Sequence, residues 1–349
     1  MKERYLVDYD SRKMGLGHQM GSFNYGLKIA LDNDLTYLFH KERFYDEMEE
    51  FFRFSEGEKW IEDIDVKALK QVLLPPVEST PTKWSRSRAL RKGKPWFGGG
   101  GTHNGKRKYD RTNKIIKRNP EDKTLFLLPE EERRGKMKVK RAKWVDYDFF
   151  TTSDWYKKKY KQARKNDPIK NYFDADYFNV AVHVRRGDLF MRDWRKLLHR
   201  LLPDSYYDNI IRKIHNLLGD RVRFHIYSQS RDDRWRKPTI RNAPQDVYLN
   251  EKKGKGAWNY PQPYKYELHL DEDWRADFDH MVIADIMITS VSSFGYFAAN
   301  LNENYKIIPE TPGFLRTFQH APATKALFTK KTHIVDCHLL TSPDFPISL

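Results

Sequence analysis

Short apolar segments alternate with amphipathic segments near the start of the chain. Residues 5–8 and 35–39 are apolar enough for strands, and residues 19–31 between them have the spacing of an amphipathic helix. A strand, a glycine-containing loop, a helix and a second strand are typical of a parallel α/β layer. The N-terminal part of the chain is therefore predicted to contain a parallel sheet.

The same alternation returns after about residue 177. Phe178–Val184 is a nearly continuous apolar run, as expected for a strand whose two faces are both covered. Further strands are predicted at 223–228, 284–289, 305–309 and 332–336, and helices at 205–218, with Ser205 as N-cap, 274–283 and 292–301. The pattern predicts a second parallel α/β domain.

The middle of the chain breaks this alternation. Prolines at 75, 76, 81 and 95 and four glycines at 98–101 interrupt any regular element. We therefore predict a long irregular insertion at about 78–145, with room for one strand at 125–128. The 349 residues suffice for two domains of roughly 100–200 residues each. We expect the domains to span 1–170, including the insertion, and 171–349.

Charge is concentrated in the insertion. The net charge is +16, and residues 83–118 carry thirteen Lys or Arg against one acid, Asp110. Such a field attracts polyanions or anionic surfaces, so a polyanion-binding protein is one alternative for the whole chain. A solvated insertion is the simpler interpretation. No nucleic-acid recognition motif accompanies the charge, and no specific nucleic-acid partner is expected.

The chain has a single cysteine, Cys337, which excludes an intramolecular disulfide. Residues 1–5 have no apolar core of signal-peptide length. The most apolar stretch, 281–299, is interrupted by Asp285 and a Ser/Gly cluster, so no transmembrane segment is predicted. These features favour a soluble cytoplasmic protein, as from a microbe or a large virus, over a fragment from a secretory compartment.

The sequence His-Val-Arg-Arg-Gly-Asp, residues 183–188, ends the strand predicted at 178–184. Ligands of open α/β sheets bind beyond the carboxyl ends of strands. Arg185 and Arg186 would present forked donors there that suit a diphosphate, and Gly187 permits a tight turn. Asp188 can hold an arginine or face a substrate. The alternative interpretation is a surface turn with a salt bridge.

This motif resembles the nucleotide-sugar motif of the α1,2/α1,6/protein O-fucosyltransferase superfamily. Three more segments resemble that superfamily in the expected order: Gly-Leu-Gly-His-Gln at 15–19, His-Ile-Tyr-Ser-Gln-Ser at 225–230, and residues 284–290 followed by Ser-Ser-Phe at 292–294. The resemblance covers roughly 1–40 and 178–310. It implies a GT-B-like architecture, two Rossmann-type domains facing across a cleft, with the nucleotide-sugar donor held by the C-terminal domain and the acceptor side in the N-terminal domain.

The resemblance also implies a function and a site. The function is an inverting, metal-independent transfer of fucose from GDP-fucose to a glycan hydroxyl, with the sugar nucleotide as donor substrate and no cofactor. His183 would lie against the guanine or ribose, and Arg185 would bind the β-phosphate and stabilise the leaving diphosphate. The remaining donor-binding positions would be Gly15, Gly17, Arg186, Ser228, Gln229, Ser230, Ser292, Ser293 and Phe294.

Three residues are candidates for the base that deprotonates the acceptor. Asp193 lies ten residues after His183, where one branch of the superfamily has its catalytic carboxylate, and Asp188 is closer to the motif. His18 replaces the usual asparagine and would titrate near neutrality. The alternatives are an ion pair of Asp193 with Arg192 or Arg195 and a simple donor contact for His18.

Some features leave the chemistry open. Gln229 stands where related enzymes often have an acid, so another nucleotide sugar is an alternative donor. A further alternative for the function of the chain is a catalytically inactive homologue that only binds sugar. No Asp-x-Asp pair stands at a strand end, because Asp271 and Asp273 bracket Glu272 in a polar segment interpreted as a loop. No metal site is therefore predicted. Asp285, assigned to a strand, is expected to make structural hydrogen bonds.

Overall fold

The structure of the chain is a computed structural model. It describes residues 3–8, 16–41, 46–74, 112–128, 131–134, 137–140, 152–186, 202, 204–229, 264, 266–310 and 332–336. These residues form two units, one ending at Asp167 and the other beginning at Pro168. Each unit is built around its own parallel sheet, which confirms the α/β class. The arrangement of two domains across a cleft stays a prediction.

Unit 1 contains a four-stranded sheet. Its strands are β1 (Arg4–Asp8), β2 (Thr36–Tyr37), β3 (Lys70–Leu73) and β4 (Thr124–Leu128). The order is β2-β1-β4-β3, and all neighbours are parallel. The two middle strands are apolar and almost entirely buried, as expected where helices or loops cover both faces. The strand predicted at 5–8 is confirmed.

Helices in the described part of unit 1 include α1 (Leu16–Asp32), α2 (Asp46–Phe52) and α3 (Ser153–Asn166). The helix predicted at 19–31 is confirmed as part of α1. Aromatic rings from α1, α2, α3 and the segments after β2 and α2 pack at centroid distances of 4.8–6.0 Å: Phe23, Phe39, Phe52, Phe54, Trp155 and Tyr156. Burial of such large rings supplies much of the apolar area that stabilises the unit.

The strand that the sequence allowed at 125–128 is confirmed as β4, but other described residues of the predicted irregular insertion at about 78–145 are regular as well. Residues 112–117 are helical, and β4 lies between β1 and β3 in the sheet of unit 1. The apolar sequence of β4 explains this interior position, because there both of its faces can be covered and its apolar side chains are removed from water. β5 (Glu131–Arg134) and β6 (Met137–Lys140) form an antiparallel pair. The rest of the predicted insertion lies outside the described residues.

Unit 2 contains a six-stranded sheet. Its strands are β7 (Phe178–Val184), β8 (Val222–Ser228), β9 (Tyr266–Leu270), β10 (Ile286–Ile288), β11 (Tyr305–Glu310) and β12 (Thr332–Asp336). The order is β12-β11-β10-β7-β8-β9, with every pair parallel. The chain runs outward from β7 to β9, returns to β10 beside β7 and continues to β12. This is the doubly wound order, with its switch point between β7 and β10.

The α-helices among the described residues of unit 2 are α4 (Asp204–Leu218), α5 (Trp274–Ile283) and α6 (Ser293–Leu301). α4 buries Tyr206, Ile210 and Ile214 in a core shared with β7, β8 and β10. α5 packs on β7 and on α6. No helix in the described part of the chain is long and apolar enough to cross a membrane.

Most element predictions for unit 2 are confirmed, including the bounds of β7, α5 and β12. α4 begins at Asp204, so Ser205 lies inside its first turn and the N-cap prediction was wrong. β9 was missed, because no strand was predicted between the one at 223–228 and the helix at 274–283. Asp285 makes the expected structural bonds: its Oδ2 accepts from the Asn179 N–H at 2.9 Å, and its N–H donates to the Asn179 carbonyl at 3.1 Å.

Candidate active site

The carboxyl ends of β7 and β10 are neighbours at the switch point of unit 2. β7 ends at Val184 and leads into Arg185 and Arg186, whereas β10 ends at Ile288 and leads through residues 289–292 into α6. In doubly wound sheets the strand order reverses here, and the connections diverge to leave a crevice. The structure thus places the His-Val-Arg-Arg and Ser-Ser-Phe segments at adjacent strand ends.

The N-terminus of α6 faces this region. Ser292 is extended, with φ −141° and ψ 129°, and its carbonyl accepts the first helical hydrogen bond, from the Tyr296 N–H at 2.9 Å. The N–H groups of Ser293, Phe294 and Gly295 belong to the first turn and have no acceptor inside the helix. Together with the positive end of the helix dipole they suit a phosphate group.

His183 is held directly beside that helix end. Its Nδ1 lies 2.9 Å from the Ser290 Oγ, and its ring centroid lies 5.6 Å from that of Phe294. A Cβ on Gly295 would lie only 2.7 Å from the same Nδ1. α6 therefore approaches β7 closely enough that residue 295 has no room for a side chain. Neither Ser290 nor Gly295 was among the predicted site residues.

The two arginines after β7 have different environments. Arg186 is 7% exposed and donates from its guanidinium to the carbonyls of Arg185 and Leu202, both at 3.0 Å. These bonds, with a position 5.8 Å from the Tyr207 ring centroid, tie the segment after β7 to the segment before α4. Arg185 is half-buried and more exposed than Arg186. Of the two, Arg185 is the better placed to reach a bound ligand.

The end of β8 is fastened to the end of β7. The buried hydroxyl of Ser228 donates to the Val184 carbonyl at 2.8 Å. That bond fixes the start of the next segment, in which Gln229 is exposed. Gln229 therefore stands one strand away from Arg185 on the same edge of the sheet.

Five predicted positions are outside what the structure describes: Gly15, Asp188, Asp193, Ser230 and the side chain of His18. Gly17 is buried in the first turn of α1, which follows the carboxyl end of β1. Sequence reasoning missed Asp8 at that strand end. Its Oδ2 accepts from the Tyr37 hydroxyl at 3.0 Å, and a Cβ on Gly26 of α1 would lie 2.2 Å from the same oxygen.

A group of ionisable side chains surrounds Tyr227, which is the partner of His183 in the β7–β8 register. Burial raises the pKa of Tyr172 to about 12 and that of Tyr227 beyond its usual range. Burial, with the charges of Glu272 and Asp273, raises the pKa of Asp277 to about 7. A carboxyl that titrates near neutrality is a candidate acid or base, and its only signal in the sequence was the acidic segment at 271–279.

Comparisons with known proteins give one partial match in sequence. No protein-family profile matches the chain. Over 71 residues, 20% of the chain, it is 32% identical to the O-antigen biosynthesis glycosyltransferase WbnK of Escherichia coli. The match spans about a fifth of that relative, 22% of its length.

The solved structures that are similar to the chain include glycosyltransferases. POFUT1 in complex with GDP-fucose gives a TM-score of 0.41 at 13% identity, with 87% of this chain and 95% of that chain covered. The iron-containing dodecameric glycosyltransferase TibC of E. coli H10407 gives 0.37 at 8% identity, with 89% and 62% covered. Likenesses this low carry no argument, and the fold assignment rests on the strand pairing itself.

Proposed function

We propose that the chain is a glycosyltransferase that binds a nucleotide-sugar donor at the switch point of unit 2. The observation that carries the proposal is the grouping of His183, Arg185 and the N-terminus of α6 at two adjacent strand ends. A guanidinium and free helical N–H groups are the donors that a diphosphate requires. The partial identity to an E. coli glycosyltransferase supports the same class.

The finer part of the proposal is the reaction. The donor is GDP-fucose, the acceptor is a glycan hydroxyl, and the transfer inverts the anomeric carbon. The four segments that resemble fucosyltransferases support this choice, and two of them lie at the site just described. Arg185 and α6 supply the positive charge that stabilises the leaving diphosphate, so the reaction needs no metal.

The steps balance as follows. The acceptor oxygen attacks the sugar C1 from the face opposite the diphosphate and forms the new C–O bond. The bond from C1 to the phosphate oxygen breaks, and GDP leaves with the electron pair. A base takes the acceptor proton; Asp188, Asp193 and His18 remain the candidates, with Asp277 added by its raised pKa.

A nucleotide series tests this proposal. We expect GDP to raise the melting temperature of the chain more than UDP or CDP at equal concentration, since only a protein that binds a ligand in its folded state is stabilised by it. GDP-fucose, whose sugar is β-linked to the diphosphate, should then give GDP and an α-linked product, because the proposed transfer inverts the anomeric carbon. A β-linked product would show retention instead. NMR of the product distinguishes these outcomes.

Selective stabilisation by UDP would contradict the guanine donor while leaving the glycosyltransferase class in place. Absence of stabilisation by any nucleotide or nucleotide sugar would contradict the class itself. Arg185→Ala should reduce the stabilisation by GDP, and Arg212→Ala, at an exposed arginine on α4, is its matched control. Arg212→Ala removes one positive charge as Arg185→Ala does, but its response to nucleotides should equal that of the wild type.

A further inference from the structure

Three potential metal ligands lie together on the sheet face of unit 2 opposite the α4 core. His225 is on β8, and Glu267 and His269 are on β9, where Glu267 is the register partner of His225. His225 Nδ1 lies 3.3 Å from His269 Nε2 and 3.8 Å from Glu267 Oε2. One ligand atom from each side chain lies within 4.8 Å of the other two.

The ring nitrogen of His225 that points away from the cluster, Nε2, has a fixed partner, Asn179. The amide nitrogen of Asn179 donates to the carbonyls of Asp174 and Tyr177, both at 2.9 Å, which leaves the amide oxygen facing His225. That oxygen lies 3.2 Å from His225 Nε2 and accepts its proton. His225 Nδ1 therefore carries a lone pair directed at the cluster.

The ring nitrogen of His269 that points away from His225, Nδ1, also has an oxygen acceptor. Its Nδ1 lies 3.2 Å from Glu272 Oε2, and because a carboxylate only accepts, Nδ1 carries the proton. His269 Nε2 is then the atom that faces His225. Metal-binding histidines characteristically donate the outer N–H to a carboxylate or amide oxygen, which orients the ring and raises its basicity. Two lone pairs at 3.3 Å repel each other unless a cation or a further proton lies between them.

The surroundings hold all three ligands in place. The other oxygen of Glu267 lies 3.6 Å from Arg223 Nη1, which turns Oε2 toward His225. Tyr227 stacks on the His269 ring at a centroid distance of 4.7 Å, and Phe173 lies 4.6 Å from the His225 ring. The two imidazoles are buried, whereas the Glu267 side chain is 48% exposed, so the cluster is reached from solvent on the carboxylate side.

We propose that His225, Glu267 and His269 bind one divalent transition-metal ion, for which Zn²⁺ is the best match. Two nitrogens each about 2.0–2.1 Å from a tetrahedral zinc are about 3.4 Å apart, close to the 3.3 Å found here. Imidazole ligands favour zinc over magnesium or calcium. Three protein ligands leave a fourth position for water. The site joins β8 to β9 and does not depend on the proposed sugar transfer.

Metal titration of the full chain tests this site. After treatment with EDTA and its removal, we expect calorimetry to show one Zn²⁺ per chain with a dissociation constant of about 1 µM or lower, and no binding of Mg²⁺ at that level. Cobalt(II) should give the intense visible absorption of a tetrahedral site. Glu267→Gln, an exposed change that spares the core, should weaken zinc binding at least tenfold.

Two further variants and two controls make the test specific. His269→Gln should abolish the cobalt spectrum, and Glu272→Gln should weaken zinc binding about 10- to 100-fold through the His269 proton. Glu62→Gln in unit 1 and His215→Gln on α4 should bind like the wild type. If His269→Gln does not fold, the two glutamate variants decide. The proposal would be overturned if the wild type bound no zinc, or if Glu267→Gln and Glu272→Gln both bound zinc as tightly as the wild type.

Discussion

Gly295→Ala should destabilise unit 2, although alanine is the better helix former. Residue 295 lies inside α6, where helix propensity alone predicts a gain of about 1 kcal/mol from this change. The added Cβ, however, would lie 2.7 Å from His183 Nδ1 and 3.4 Å from its Cε1. The sign of the effect therefore distinguishes a close contact at the proposed site from an ordinary helical position.

The magnitude follows from what the imidazole must give up. To restore ordinary contact the ring has to move by about 0.7 Å, which lengthens the 2.9 Å bond to Ser290. Overpacking costs about 1–3 kcal/mol, and a lost buried hydrogen bond costs a similar amount. After the helical gain is subtracted, we expect a net loss of roughly 2 kcal/mol, or about 4–8 °C in melting temperature for a unit of this size.

Calorimetric unfolding measures the sign of this effect and tests its cause. It compares the melting temperatures of the wild type, Gly295→Ala, His183→Ala and the double variant. Because the contact is with the imidazole, the alanine at 295 should lower the melting temperature only when His183 is present. In the His183→Ala background it should be neutral or stabilising. A higher melting temperature for Gly295→Ala alone, or the same loss in both backgrounds, would refute the reasoning.

Three more changes have defined outcomes. Asp277→Asn should gain stability relative to the wild type as the pH rises from about 4 to about 7. The folded-state pKa of Asp277, about 7, exceeds its ordinary 3.8, so over this range the carboxyl ionises in the unfolded chain first and the wild type loses at most about 4 kcal/mol of stability. Equal pH profiles of the two proteins in urea unfolding would contradict this. Gly26→Ala should lower the stability of unit 1 by about 1–3 kcal/mol through its overlap with Asp8, and a more stable variant would rule the overlap out. Glu58→Gln should cost about 1–3 kcal/mol, because the buried Lys159 ammonium loses a carboxylate at 2.8 Å; an unchanged melting temperature would show that the ion pair contributes nothing.

The sequence predicted the apolar strands well because burial on both faces leaves a local signature. Phe178–Val184 is apolar at nearly every position, and its bounds agree with the structure. β9, Tyr266–Leu270, has Glu and His at alternate positions. These residues, Glu267 and His269, belong to the proposed zinc site. Their polar side chains are the reason why the sequence did not predict this strand.

Unit 1 was harder because its strand order depends on contacts between distant residues. β4 was assigned to the insertion, since about fifty residues of broken pattern separate it from β3. α3 was missed because its sequence is rich in lysine and arginine, although Lys159 is buried against Glu58. Local periodicity contains no information about such a partner.

The candidate site was predicted in part. The motif pointed to His183, Arg185 and Ser292, and the topology places their segments together. The predicted donor-binding positions included Arg186, whose guanidinium in the structure bonds to backbone carbonyls. Motif spacing did not show that Ser290 and Gly295 would lie against His183, because this closeness arises only when α6 packs against β7.

The most direct test of the central claim is calorimetric binding of GDP to the wild type, Arg185→Ala and the charge-matched control Arg212→Ala. Loss of charge-assisted hydrogen bonds to the diphosphate should weaken binding to Arg185→Ala about 10- to 100-fold. Arg212→Ala should bind GDP as the wild type does. Equal affinity in all three proteins would contradict the account, because the guanidinium after β7 would then have no part in holding the leaving group.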